Sequence, residues 1–336
     1  MIAESRAVAI PQIDAELCVL SRFDVSTCSA CVEACPSKAL TTGEDGLELD
    51  AAACSGCGGC GAACPSGAVT LDGAECPEPL SRPGAEGWLA CSRHAQGKGG
   101  NALCLQALGL AALTRLWLQG LRRITCLTGD CAACPDGAGL SVHRHVAALN
   151  ALLASRKLPG LLLERAGEPP RRTTRIGPGA ATDAGRRRLF GLSALPMGAA
   201  GTPPLARLQS LSWGPDTLYV NVPLIDPGRC TGCDACISLC PTASLSRVKS
   251  GDGEMQYVVD PATCNDCGLC CDLCGENAIR LGHLSAAPQP VALACFRCRG
   301  CGVNVHVPAL GPYAARGICP VCDRTGHHKR LFQVLE

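Results

Sequence analysis

Aromatic residues are scarce in this chain, with three Trp, three Tyr and four Phe among 336 residues. Cysteine outnumbers them almost three to one. Nucleotide-binding signatures are missing as well. No G-x-G-x-x-G follows a strand-like run and opens a helix, and no G-x4-G-K-[ST] occurs, so no flavin or nicotinamide site is legible. No nucleophile–histidine–acid constellation stands out. Met1–Gln12 has no basic n-region, no apolar h-region and no twin arginine, from which a cytoplasmic location is expected. Mean hydropathy is +0.18, yet no membrane span is expected. The most apolar stretch, Ala102–Leu121, contains Gln106, Arg115 and Gln119 and runs straight into a strand-like segment, as a buried helix of an α/β domain would.

What the chain has in excess is cysteine, 28 residues. Such density marks a disulfide scaffold only in short secreted chains. This length suggests two or three domains, and in a reducing cytosol dense cysteine means metal. Aligning the cysteines exposes four copies of one pattern. Cys230, Cys233, Cys236 and Cys240 form a C-x2-C-x2-C-x3-C run closed by Pro241. Cys264, Cys267, Cys270 and Cys274 keep the spacing, with Gly275 in place of the proline. Cys54, Cys57, Cys60 and Cys64 give the same run, closed by Pro65. In the first copy Cys28, Cys31, Cys35 and Pro36 are in register, but Val25 stands at the leading position. Each intact copy follows a short apolar strand ending in an aspartate four residues before the first cysteine: Asp50, Asp226 and Asp260. The first copy reads PQIDAELC and places Asp14 four residues before Cys18. Cys18 is therefore taken as the leading ligand, displaced by a seven-residue insertion; a buried free thiol is the competing reading.

These repeats resemble the bacterial two-cluster ferredoxins over roughly residues 12–75 and 222–284. In that family the three closely spaced thiolates wrap one corner of a 4Fe–4S cubane, and the fourth cysteine serves the other cluster. The following proline fixes φ and offers no donor. The resemblance implies four ligand sets: Cys18, Cys28, Cys31 and Cys64; Cys54, Cys57, Cys60 and Cys35; Cys230, Cys233, Cys236 and Cys274; and Cys264, Cys267, Cys270 and Cys240. A zinc reading fits these runs poorly, because a triple C-x2-C-x2-C is not a zinc-knuckle spacing.

From about Trp88 the pattern changes to alternating strand and helix. GWLACS, RRITCLTGDC and GLLLER are expected strands; Leu103–Gly120 and Leu140–Arg156 are expected helices. That makes a small βαβαβ unit with a parallel sheet. Sites on parallel sheets gather at the carboxyl ends of strands, where Cys91 and the Gly129-Asp130-Cys131 turn should meet. The run Cys126–Cys131, C-x2-G-D-C, is similar to a turn in the small iron–sulfur delta subunits of methanogen hydrogenases, which pass electrons towards heterodisulfide reductase. This chain departs from it by adding Cys134. The favoured reading is a fifth iron–sulfur cluster on Cys91, Cys104, Cys131 and Cys134. Its rivals are scattered reduced thiols and a redox-active dithiol at Cys131 and Cys134. His94 is read as a polar surface residue. His143 and His145, two apart on a helix, share no face and make a poor metal pair.

Residues 166–220 have no cysteine, and eight arginines from Arg165 to Arg207 are offset by Glu168 and Asp183 only. The segment is expected to be a linker with one short helix near Arg186–Leu195. With almost no aromatics to stack on bases, it is not expected to bind nucleic acid. In the tail, Cys298 and Cys301 are separated by 17 residues from Cys319 and Cys322. These knuckles resemble a zinc ribbon, with Cys295 as a substitute ligand. A rubredoxin-like single iron is the functional rival.

Near-neutral net charge hides strong segregation. Residues 1–80 carry 3 basic and 12 acidic side chains, residues 81–220 carry 17 and 7, residues 221–290 carry 4 and 8, and residues 291–336 carry 6 and 2. Bound clusters would make the acidic modules more negative still, favouring a cationic redox partner or a folding back of the basic middle. The expected fold class is α+β and multidomain. Dicluster modules at 1–80 and 221–290 flank the small α/β domain at 81–166 and a basic linker at 167–220, and a zinc-ribbon-like tail occupies 291–336. The resemblance, with the lack of a substrate cofactor, implies a multi-cluster electron-transfer protein relaying single electrons along four or five clusters. Its expected place is as a subunit or dedicated partner of an oxidoreductase complex: hydrogenase, formate dehydrogenase or another molybdenum enzyme, by analogy. A reductase with its active site in the middle domain, and an assembly or maturation factor for a redox enzyme, are the alternatives.

Overall fold

A computed structural model describes residues 10–44, 46–71, 85–91, 94, 104–129, 131, 133–134, 141–170, 173–175, 203–211 and 214–326. The chain divides into two compact units, Met1–Asp24 with Cys28–Thr217, and Val25–Thr27 with Leu218–Glu336.

The first unit opens with β1 (Pro11–Ile13), α1 (Val19–Arg22), α2 (Ala30–Glu33), β2 (Leu40–Gly43), β3 (Gly46–Leu49), α3 (Gly59–Ala63) and β4 (Val69–Leu71). The insertion after Cys18 forms α1. β4 returns antiparallel to β1, with Ile13 opposite Val69, and β2 pairs with β3, with Leu40 opposite Leu49. The helices are single turns, too short to be stable alone. Their core is thin: Leu40 and Val69 pack with the thiols of Cys31 and Cys60, edged by Ile13, Val32, Leu47 and Leu49. So little apolar burial does not offset the entropy of ordering the chain. Cohesion of this module has to come from its cysteines and what they bind.

The α/β domain follows: β5 (Ala85–Ala90), a 3-10 turn at Leu105–Ala107, α4 (Leu110–Leu118), β6 (Leu121–Leu127), α5 (Ser141–Ser155), β7 (Leu162–Ala166), β8 (Thr174–Arg175) and α6 (Pro204–Gln209). Its strands are parallel in the order β7-β6-β5-β8, so a two-residue strand joins the three expected from the sequence. Leu113, Leu116, Ile124, Leu127, Leu149 and Leu152 form the buried layer between sheet and helices. α4 starts at Leu110 rather than near Leu103. Its N-terminal residue Gly109 lies so close to the first module that a Cβ would sit 2.7 Å from the Ala62 carbonyl oxygen. Among the described residues no helix is long and apolar enough to cross a membrane. The segment taken for a linker is built into this domain at both described ends. β8 pairs with β5, and the carbonyls of Gln209 and Leu211 accept bonds from the fully buried Arg156 guanidinium. The helix expected near Arg186–Leu195 lies outside the described residues.

The second unit contains β9 (Leu218–Ile225), α7 (Ala235–Ser238), β10 (Leu245–Lys249), β11 (Met255–Val259), α8 (Leu269–Asp272), β12 (Ile279–Ala286), β13 (Val291–Arg297), β14 (Asn304–Pro308) and α9 (Pro320–Thr325). β9 and β12 pair antiparallel, Ile225 opposite Ile279, repeating the closure of β1 with β4. The β10–β11 hairpin does not end its sheet. β13 adds to β11 and β14 to β13, giving the order β10-β11-β13-β14. The tail thus extends the hairpin of the second module.

Candidate metal centres

All four cysteine runs enter through the same turn. Asp14 Oδ1 accepts from the amides of Glu16 (2.9 Å) and Leu17 (3.3 Å), and Asp50 Oδ1 from those of Ala52 (2.9 Å) and Ala53 (3.3 Å). Asp226 Oδ1 takes the Gly228 amide at 2.8 Å, and Asp260 Oδ1 takes the Ala262 amide at 3.1 Å. Such Asx turns reverse the chain with a local side-chain bond. They put Cys18, Cys54, Cys230 and Cys264 at equivalent places after their strands.

The amides of the same aspartates bring the paired repeats together. Asp14 N donates to Ala68 O (2.8 Å), Asp50 N to Ala39 O (2.8 Å), Asp226 N to Ala278 O (2.7 Å) and Asp260 N to Ser244 O (2.8 Å). Each acceptor lies four residues after the last cysteine of the neighbouring repeat: Cys64, Cys35, Cys274 and Cys240 in turn. The backbone therefore ties the opening of each run to the closing cysteine of its neighbour.

The thiols group to match. Burial, then Cys64, Cys28 and Cys18 beside it, push Cys31 up to about 12. Cys60 is pushed up to about 11 by burial, with Cys57, Cys35 and Cys54 around it. Burial and then Cys230, Cys233 and Cys274 raise Cys236 to about 12. Cys264 rises to about 11 through burial, with Cys267 and Cys240 adding to it. Cys270 is raised first by its hydrogen bond with Cys271, then by burial and by Cys264 and Cys267. A small cavity is lined by Cys35, Cys54, Cys57 and Cys60, with Ser37 and Leu40 among its walls. Buried thiols that oppose one another's ionisation suit a bound cation, whose charge reverses both penalties.

Donors to sulfur repeat too. The hydroxyls of Ser37, Ser66 and Thr242 each lie 3.6 Å from the thiol two residues earlier, on Cys35, Cys64 and Cys240. Burial pushes Cys35 up, but the Ser37 hydroxyl and the amides of Ala39, Leu40 and Ser37 outweigh it and leave the thiol below its ordinary value. The fourth copy lacks the hydroxyl, with Glu276 in its place, but shares the amide donor: Ala278 N donates to Cys274 Sγ at 3.2 Å, as Ala39 N does to Cys35 Sγ at 3.2 Å. The turn itself needs a left-handed residue three positions after the cysteine, with φ of 54° at Lys38, 72° at Gly67, 52° at Ala243 and 47° at Asn277.

In the tail the four sulfurs of Cys298, Cys301, Cys319 and Cys322 lie within 4.8 Å of one another. Cys301 Sγ is 3.9 Å from Cys319 Sγ, close to the roughly 3.8 Å edge of a tetrahedron with 2.3 Å metal–sulfur bonds. Cys295 is exposed and outside the group. Amides of Cys319 (3.2 Å) and Gly300 (3.4 Å) donate to Cys298 Sγ. Backbone donors, that of Cys319 foremost, lower Cys298 to about 6, so it is a thiolate at neutral pH, the form that binds metal. Burial first, then the three neighbouring sulfurs, raise Cys322. Among the described residues no other set of His, Cys, Asp or Glu converges as closely.

Residues 25–68 match a 4Fe-4S dicluster domain, and residues 223–246 match a 4Fe-4S binding domain. This chain carries two 4Fe-4S ferredoxin-type domains. No curated protein matches it. The first match takes in Cys28 to Cys64 and begins after Cys18; the second takes in Cys230 to Cys240 and ends before the fourth run.

The middle cysteines sit where a parallel sheet would place a site. Cys91 directly follows β5, and its amide bonds the Leu127 carbonyl at the end of β6 (2.9 Å). Cys131 lies just beyond β6, and the Cys134 amide bonds its carbonyl at 3.4 Å. Cys104 precedes the 3-10 turn, whose Ala107 amide bonds the Cys104 carbonyl at 3.0 Å. Asp130 of the C-x2-G-D-C run lies outside the described residues. Cys126 points into the core, where burial raises it to about 12, opposed by Arg165 and reinforced by Cys131. His145 Nδ1 is 3.1 Å from the Leu108 carbonyl, a structural tie that leaves His143 exposed on the other side.

Proposed function

We propose that this chain is a multi-cluster iron–sulfur electron carrier, acting in the cytoplasm as a subunit or dedicated partner of a larger oxidoreductase. The observation that carries the reading is the thiol sets drawn across repeats. Cys35 of one run joins Cys54, Cys57 and Cys60 of the next in lining one cavity, and the Asp14, Asp50, Asp226 and Asp260 amide bonds apply the same exchange to both modules. In this reading Cys18, Cys28, Cys31 and Cys64 hold one cubane and Cys54, Cys57, Cys60 and Cys35 its neighbour. Cys230, Cys233, Cys236 and Cys274 hold a third, and Cys264, Cys267, Cys270 and Cys240 a fourth. A 4Fe–4S cluster supplies a one-electron carrier, whose potential the protein sets through hydrogen bonds to sulfur, nearby charge and exposure. The tail thiols have the geometry of a structural zinc site, closed by four cysteines. Cys91, Cys104, Cys131 and Cys134 are assigned a fifth cluster: Cys91 follows β5, Cys131 and Cys134 follow β6, and Cys104 lies in the connection from β5 to α4.

The deciding experiment counts iron, zinc and sulfide per chain and follows EPR during a redox titration. About sixteen irons and one zinc support four cubanes and a ribbon, and about eighteen to twenty add the middle cluster. Iron near eight overturns the tandem reading. Cys18 has its own test: Cys18→Ala is expected to convert one cubane towards a three-iron form, and spectra of four intact cubanes would remove Cys18 from the ligand set.

A further inference from the structure

The tail does more than cap a sheet, because it touches one cluster site of the second module at both of that site's loops. At the first loop, Gly232 closes on β14. A Cβ on Gly232 would lie 2.3 Å from the His306 carbonyl oxygen, and the residue has φ +73°. Asp234, between ligands Cys233 and Cys236, receives the Tyr257 hydroxyl at 2.6 Å and His306 Nε2 at 3.0 Å, and pairs with Arg247. Tyr257 and His306 meet edge to face with ring centres 6.1 Å apart. At the second loop, Arg324 of α9 forms an ion pair with Glu276, two residues after Cys274. Glu276 occupies the position where the other three copies place a hydroxyl. Cys230, Cys233, Cys236 and Cys274 are one ligand set, so His306 and Arg324 both reach the same cluster site. The tail itself rests on its thiols. Among the described residues its buried cluster is Cys298, Cys319 and Cys322, edged by Val305 and Ile318.

We propose that the C-terminal hairpin is a metal-dependent clamp that sets the reduction potential of the Cys230/Cys233/Cys236/Cys274 cluster alone. This rests on the cluster assignment above. His306 and Arg324 act as positioning residues: each partners a carboxylate next to a ligand, Asp234 or Glu276, and reduces its field at the cluster. Loss of metal from the tail loosens β14 and α9 together and leaves both carboxylates less compensated. Negative charge beside a cluster opposes the arrival of an electron, so the potential falls.

The test uses the full chain, reconstituted without oxygen, with metal content and EPR redox titration measured on each variant. Cys322→Ser is expected to lose the tail metal, keep the iron content of the parent and shift one midpoint downward by about tenfold in the reduction equilibrium, 59 mV for one electron. The pair His306→Ala and Arg324→Ala, which retains all four tail thiols and their metal, is expected to shift the same midpoint in the same direction. Adding Cys274→Ala should abolish that shift. Unchanged potentials in the His306→Ala/Arg324→Ala chain overturn the clamp, as does a uniform shift of all clusters or a shift that survives Cys274→Ala. If Cys322→Ser fails to fold, the contact variants still decide the matter. A parent chain with little iron would instead overturn the cluster reading itself.

Discussion

Replacing Ser37 by Ala removes one hydroxyl 3.6 Å from Cys35 Sγ and little else, since Ser37 sits in a turn that needs no side chain. Cys35 lines the cavity with Cys54, Cys57 and Cys60, so the effect should fall on that cluster. A hydrogen bond to sulfur strengthens when the cluster gains an electron, and it therefore raises the potential. A single protein hydrogen bond contributes about 0.5–1.5 kcal/mol net. If its loss is felt mainly in the reduced state, the midpoint falls by about 20–65 mV at 2.3 kcal/mol per 100 mV. Ser66→Ala should lower the cluster of Cys18, Cys28, Cys31 and Cys64 in the same way, through the bond at 3.6 Å to Cys64. Thr242→Val should lower that of Cys264, Cys267 and Cys270, through Cys240. An EPR redox titration on each variant reads the outcome: one midpoint moves, a different one each time, and always downward. Ser37→Thr keeps the donor and should restore the parent value. Upward shifts, no shifts, or a common shift of all clusters would refute the reasoning that these hydroxyls tune single sites.

Other consequences can be measured separately. Gly58 has φ +75°, and a Cβ there would meet Ala107 Cβ at 2.7 Å; Gly58→Ala should therefore weaken the packing of the α/β domain on the first module by about 2 kcal/mol, read as faster hydrogen exchange in α4 and β6. In the tail, backbone donors, that of Cys319 foremost, hold Cys298 at about 6, well below the ordinary thiol range. Its stabilising contribution is present in full above about pH 9 and is lost as pH falls through about 6, so a chromophoric chelator should capture the tail metal steeply only on the acid side of neutrality. Because each ligand set spans two repeats, loading with too little iron should yield empty and two-cluster modules rather than many half-filled ones, which native mass spectrometry can count.

The cysteine runs announced the metal chemistry because their spacing is dictated by a cluster and survives any surrounding sequence. Asp14 also matters: the strand-then-aspartate signature points to Cys18 across the insertion, and the Asx turn of the other copies forms there too. Other features depend on tertiary contact and leave no local trace. Gly109 resembles any glycine in an apolar run, yet a Cβ there would sit 2.7 Å from the Ala62 carbonyl oxygen. Thr174 and Arg175 are too few to show strand periodicity, and only β5 beside them makes them a strand. Arg156 belongs to a charged side chain type almost never fully buried, yet the carbonyls of Gln209 and Leu211 hold it inside. The hydroxyls of Ser37, Ser66 and Thr242 were visible as a repeat two residues after the closing cysteine, with Glu276 as the exception. The contacts of His306 with Asp234 and of Arg324 with Glu276 join residues 72 and 48 positions apart, and no periodicity reports a pairing at that range.

Ligand exchange between repeats also constrains how electrons travel. In the proposed assignment Cys60 and Cys64 belong to different sets, yet the Cys64 amide bonds the Cys60 carbonyl at 2.9 Å, one helical turn apart. At about 1.5 Å of rise per residue, the two ligands are separated by only about 6 Å along α3. Cys31 and Cys35 are likewise four residues apart across α2, where the Cys35 amide bonds the Val32 carbonyl at 3.1 Å. Clusters bound as proposed would be held at a fixed short distance by covalent chain, and no movement between larger parts of the molecule could alter that step. Exchange inside a module should then be faster than exchange out of it. The kinetics would resolve into two rapidly equilibrating pairs rather than four successive sites, and the slow step open to control would be the one that leaves a pair. The second module has its clamp, His306 and Arg324, on only one member of its pair. Lowering that member's potential pushes the shared electron towards the Cys264/Cys267/Cys270/Cys240 cluster. The tail would thus set which end of the pair is reduced.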